Sequence, residues 1–121
     1  MELILVIDDD DQIRELLRNV IEHAGYEVME ASDGEEGIRL FRERRADLII
    51  TDIVMPRKEG IETIMDLRVE FPEVKIIAMS GGGRLGPETY LEIAEGFGSD
   101  HILTKPFSNE ELLKAVHELL K

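Results

Sequence analysis

Cysteine and tryptophan are absent from this 121-residue chain, aromatic residues make up only 5 %, and proline occurs four times. Without cysteine there is neither a disulfide framework nor a thiolate for metal or nucleophilic chemistry, which suits the cytoplasm. No apolar run approaches the roughly 20 residues a membrane span requires. The opening "MELILVIDD" has no basic region, and its apolar stretch is too short for a secretory signal. Positive charge is scarce as well: 14 Lys and Arg stand against 27 Asp and Glu, for a net charge of −13. Such a surface repels phosphate backbones and anionic lipid, which argues against direct binding of nucleic acid or membrane. The expectation is one soluble, cytoplasmic globular domain over residues 1–121, long enough for a core and too short for two.

What the chain does have is alternation. "LILVI" (3–7), "YEVMEA" (26–31), "DLIITD" (47–52), "VKIIAMS" (74–80) and "HILT" (101–104) read as strands. The first, third and fourth are nearly apolar throughout, as strands covered on both faces should be, whereas "YEVMEA" alternates like an edge strand. Between them, Ile13, Leu16, Leu17, Val20, Ile21 and Ala24 keep helical spacing up to Gly25. Asp33 with Glu36, and Ser108 with Glu111, read as capping boxes ahead of two further helices. Segments 61–71 and 87–97 supply two more, the latter with Pro87 in its first turn. Five strand–helix repeats predict an α/β fold: a parallel sheet, helices on both faces, and right-handed crossovers. The ligand site of such a fold lies beyond the carboxyl ends of the strands.

Polar groups collect at those ends. Asp8 and Asp9 follow the first strand, Asp52 closes the third, Ser80 the fourth, and Lys105-Pro106 follows the fifth. Each has an ordinary explanation: a helix cap, a turn, a small residue before a glycine-rich loop, a solvated lysine. Asp10 and Asp11 are read that way, as cap and first-turn residues of a helix. Asp8 and Asp9 lie nearer the core, and two unit charges about 4 Å apart repel by roughly 4 kcal/mol at an effective dielectric near 20. With Asp52 added, the cluster calls for shifted protonation or a cation. Oxygen donors without His or Cys select a hard ion, Mg²⁺ with Mn²⁺ as its substitute. A divalent ion, a lysine and a spare carboxylate suit phosphoryl chemistry through an acyl phosphate. The three histidines, His23, His101 and His117, show no ligand spacing and read as solvated or half-buried.

From end to end the sequence resembles the receiver domain of two-component response regulators. The resemblance rests on "LVIDDD" (5–10), "DLIITDIVMP" (47–56) with Gly60, "IIAMSG" (76–81) and "LTKPF" (103–107). It implies a flavodoxin-like five-stranded parallel sheet in the order 2-1-3-4-5, with the ligand site where the strand order reverses. It further implies that Asp52 is the phosphoacceptor, supplied by a sensor histidine kinase or a phosphotransfer protein. Asp8 and Asp9 would hold Mg²⁺ together with Asp52 and the backbone carbonyl of Val54. Ser80 would turn its hydroxyl toward the phosphoryl group, Lys105 would pair with it, and Lys105-Pro106 would be a cis peptide. The output would pass through the fifth-strand face, to an effector or a second copy of the domain.

The chain departs from the commonest pattern in three places. Ile102 stands where an aromatic switch residue is usual, with Tyr90 as a nearby substitute; "SGGGRLG" (80–86) makes the loop after the fourth strand glycine-rich; and Val54 and Gly82 offer no side chain to position an attacking water. The last predicts slow self-dephosphorylation. Two other readings compete. A haloacid-dehalogenase-like phosphatase would use Asp8 as nucleophile and Asp10 as acid, and leaves Asp52 unexplained. A flavin-binding module would need phosphate donors where the aspartates stand.

Overall fold

A computed structural model describes residues 2–53, 60–80, 100–104 and 106–120. In chain order these form β1 (Leu3–Ile7), α1 (Asp11–His23), β2 (Glu27–Ala31), α2 (Gly34–Glu43), β3 (Leu48–Asp52), α3 (Gly60–Glu70), β4 (Ile76–Ser80), β5 (His101–Thr104) and α4 (Asn109–Leu120). The strands make one five-stranded sheet in the order β2-β1-β3-β4-β5, every neighbouring pair parallel. The expected helix at 87–97 lies outside the described residues.

Successive side chains of the central strands enter opposite layers, and both layers are apolar. Leu5, Ile7, Ile49, Ile76 and Ala78 pack with Ile38 and Phe41 of α2 and Ile64 and Leu67 of α3. Ile4, Val6, Leu48, Ile50, Ile77 and Met79 pack with Leu17 and Ile21 of α1 and Leu112, Ala115 and Val116 of α4. This two-sided burial is why β1, β3 and β4 read as unbroken apolar runs. β2 lies at the sheet's edge, as its alternation predicted, and four of its five residues are only half-buried.

Local chemistry fixes the ends. Gly25 takes φ +100° just past the C-cap of α1, a conformation open to glycine at little cost. Asp33 accepts from the Glu36 N–H at 2.8 Å, but the Glu36 carboxylate reaches the Ser32 N–H at 2.8 Å rather than that of Asp33, one residue outside the expected box. Ser108 and Glu111 form the full reciprocal box, at 3.1 and 3.3 Å. β4 starts at Ile76, two residues later than the apolar run suggested. The carbonyls of Pro72 and Val74 accept instead from the Arg68 guanidinium of α3, at 3.0 and 2.6 Å. Gly37 of α2 sits so close to β1 that a Cβ there would lie 2.4 Å from Ile7 Cδ1. That approach seats α2 against the strand that leads into the acidic loop.

Candidate functional site

The register places the acidic residues side by side. Ile7 of β1 is paired with Thr51 of β3, so Asp8 and Asp52 follow together at the carboxyl ends of adjacent strands. Asp52 is 8 % exposed and Asp8 only 1 %, while Asp9 reaches solvent. Each of the three offers a carboxylate oxygen, and these atoms lie within 4.8 Å of one another. Two buried carboxylates and a third at the rim, so close together, form a donor set of oxygen alone, which fits a hard divalent cation.

The loop that carries Asp8 and Asp9 is held at several points. The Asp8 N–H donates to the Ala31 carbonyl at the end of β2 (3.1 Å), and Asp8 Oδ1 accepts from the Asp10 N–H (2.9 Å). Asp10 caps α1 by accepting from the Gln12 and Ile13 N–H groups at 2.9 and 3.2 Å, and Asp11 lies in the first helical turn beside Arg14. The four consecutive aspartates therefore divide as their positions suggested: two in the pocket and two on the helix start. Neither Arg14 nor Glu30 was singled out from the sequence. Arg14 donates to the Asp8 carbonyl at 2.8 Å and pairs with Asp11 and with Glu30 of β2. Burial opposes its charge, yet hydrogen bonds and attraction from Asp11 and Glu30 hold its pKa above the usual value. An arginine three residues after an acidic first-turn residue was a visible signal, whereas nothing local marks Glu30 as its partner across strands.

Ser80 ends β4, its backbone in register with Thr104 of β5, one position beyond the Asp52–Met79 pairing. Its hydroxyl, Val54, Lys105, the Lys105-Pro106 peptide, Gly82, Tyr90 and the 81–86 loop lie outside the described residues. Ile102 is half-buried and packs against the layer containing α2 and α3. His117 is exposed, with Nδ1 2.9 Å from the hydroxyl of buried Tyr26, a link between the start of β2 and α4. Among the described residues, no helix is long and apolar enough to cross a membrane.

A doubly wound parallel sheet with an acidic pocket at the ends of β1 and β3 defines the class of molecule: a flavodoxin-like α/β domain with a cation-suited site. Residues 4–117 match the family model described as the response regulator receiver domain, and the chain belongs to that family of two-component signalling domains. It is 33 % identical over 121 residues to the transcriptional regulatory protein CpxR of Klebsiella pneumoniae, covering 100 % of this chain and 50 % of that one. It is 37 % identical to the probable transcriptional regulator ycf27 of Porphyra purpurea, covering 99 % of this chain and 48 % of the relative. The chain thus spans about half the length of these curated relatives. Among solved structures, the chemotaxis protein CheY4 of Vibrio cholerae superposes with a TM-score of 0.88 at 31 % identity, covering 99 % of each chain. A receiver domain protein from Clostridium thermocellum gives 0.91 at 30 % identity, covering 99 % of this chain and 94 % of that one.

Proposed function

We propose that this receiver domain works as a phosphorylation-dependent switch in which Asp52 accepts the phosphoryl group. The observation that carries the proposal is the position of Asp52 at the end of β3, 8 % exposed and with its carboxylate within 4.8 Å of those of Asp8 and Asp9. An Asp52 carboxylate oxygen attacks the phosphorus of a phosphohistidine on a sensor kinase or phosphotransfer protein. The P–O bond forms as the P–N bond breaks, and the imidazole leaves with its electron pair and takes up a proton. Asp8, Asp9, Asp52 and the Val54 carbonyl would hold Mg²⁺ or Mn²⁺, which supplies charge neutralisation at the transferring group. Lys105 would pair with the new phosphate and Ser80 would donate its hydroxyl to it. The domain then acts on no outside substrate beyond taking and losing its own phosphoryl group, and its self-dephosphorylation is slow because Val54 and Gly82 carry no group that orients water.

The chain 1–121 would form one such domain, working in the cytoplasm and passing its signal through the β5 face to an effector or a second copy. Its charge of −13 opposes direct contact with nucleic acid or membrane. Nothing in the family match supports the phosphatase reading, and its acid is already engaged: Asp10 Oδ1 caps α1. The test is phosphotransfer from a phosphorylated histidine kinase, followed by reductive trapping of the acyl phosphate and peptide mapping. Label on the peptide bearing Asp52 is expected; label on Asp8, or none on Asp52, would overturn the assignment.

A further inference from the structure

We propose that Arg14 is a positioning residue for the acidic pocket, setting the direction of the Asp8–Asp9 peptide and so the affinity of the site for its cation. The inference rests on the reading of Asp8, Asp9 and Asp52 as cation ligands. Arg14 stands one turn into α1, with its side chain 16 % exposed, and its guanidinium makes two hydrogen bonds and one further ion pair. One nitrogen donates to the Asp8 carbonyl at 2.8 Å, the second pairs with Asp11, and Nε lies 3.4 Å from Glu30 Oε1 on β2. Glu30 is itself steadied by Arg18, which donates to Oε2 at 2.7 Å. The Asp8 carbonyl belongs to the peptide unit that leads into Asp9. The Asp8 N–H, in the preceding peptide, is fixed to Ala31, and the Arg14 bond to the Asp8 carbonyl holds the direction of the next one. Asp9 is the exposed member of the cluster, so its aim depends on its backbone more than on packing around its side chain.

Positioning and simple charge give effects of opposite sign. Arg14 is a cation close to a cation site, so on charge alone its removal would tighten divalent binding. If it sets the ligand's aim, its removal loosens binding, by about tenfold on the scale typical of groups that orient metal ligands. Arg14→Met keeps most of the aliphatic stem and removes the guanidinium; Arg14→Lys keeps the charge but loses the planar fork that bonds the Asp8 carbonyl and Asp11 together.

Mg²⁺ titrations by calorimetry, at a temperature where circular dichroism shows each protein folded, separate the cases, and the ¹⁵N resonance of the Asp9 amide reports the peptide itself. We expect Arg14→Met to bind Mg²⁺ about tenfold more weakly than wild type with a displaced Asp9 resonance, and Arg14→Lys to recover part of the loss. Equal or tighter binding by folded Arg14→Met overturns the proposal. Should that variant fail to fold, Arg14→Lys decides: a few-fold weaker affinity supports positioning, and wild-type affinity overturns it. A wild-type chain that takes up no Mg²⁺ would instead overturn the reading of the pocket, and the role of Arg14 with it.

Discussion

Neutralising Asp9 should stabilise the metal-free domain while abolishing most of its response to Mg²⁺. The cluster's carboxylate oxygens lie within 4.8 Å of one another. At that distance two unit charges repel by about 3.5 kcal/mol at an effective dielectric near 20, and by about 0.9 kcal/mol in bulk water. Asp9 is exposed and faces two buried carboxylates, so solvent screening brings each repulsion toward the lower figure. Asp9→Asn removes both, for a gain of about 1–2 kcal/mol without metal, which raises Tm by roughly 3–8 °C in a domain of this size. Wild type should recover the difference when Mg²⁺ is added, since a ligand at about 100 times its Kd contributes about 2.7 kcal/mol. Urea denaturation of both proteins, with chelator and with saturating Mg²⁺, reads all four stabilities. If Asp9→Asn is less stable than wild type in chelator, or gains as much from Mg²⁺, the three carboxylates are not the mutually repelling, cation-relieved set described above.

Other consequences can be checked by the same denaturation assay. Gly37→Ala places a methyl against Ile7, which is wholly buried; overpacking of about 1–3 kcal/mol should exceed the roughly 1 kcal/mol gained in helix propensity, leaving a net loss. Asp100→Ala removes the acceptor of the Ile76 N–H (2.8 Å) and of an Arg68 bond (3.0 Å), and should cost about 1–3 kcal/mol; a neutral effect would mean water replaces the carboxylate at no loss. Tyr26→Phe should cost about 1 kcal/mol by losing the bond to His117. Burial, and then the charge of Glu2, raise the Tyr26 pKa, so its neutral form is favoured in the fold. The corresponding stability is present below the ordinary tyrosine pKa and lost as pH rises through the raised one, so wild type should weaken more than Tyr26→Phe on the alkaline side.

The fold was legible because its signals are local and mutually consistent. Five apolar runs became five strands, and the polar alternation of β2 marked it as an edge from sequence alone. Boundaries were less legible where a side chain captures backbone groups that a strand would otherwise use. Arg68 does so at Pro72 and Val74, and Asp47 does so by accepting from the Leu3 N–H at 2.7 Å, outside β3. Of the site, Asp8, Asp9 and Asp52 were visible because each ends an apolar ramp, and the structure brings these three together. Arg14 had only its spacing from Asp11 to mark it and Glu30 had nothing, since their pairing joins a helix to an edge strand 16 positions further along the chain, through contacts no spacing rule encodes. Tyr26 and His117 illustrate the same point across 91 positions.

Asp52 is proposed to take a phosphoryl group in a cation-dependent way. The most direct test is intact-mass measurement of the wild-type chain and Asp52→Asn after incubation with a small-molecule phosphodonor, with Mg²⁺ and with chelator. One added phosphoryl group on wild type, dependent on Mg²⁺ and absent from Asp52→Asn, is the predicted result. An adduct that persists in Asp52→Asn and vanishes in Asp8→Asn, or one indifferent to chelator, would contradict it.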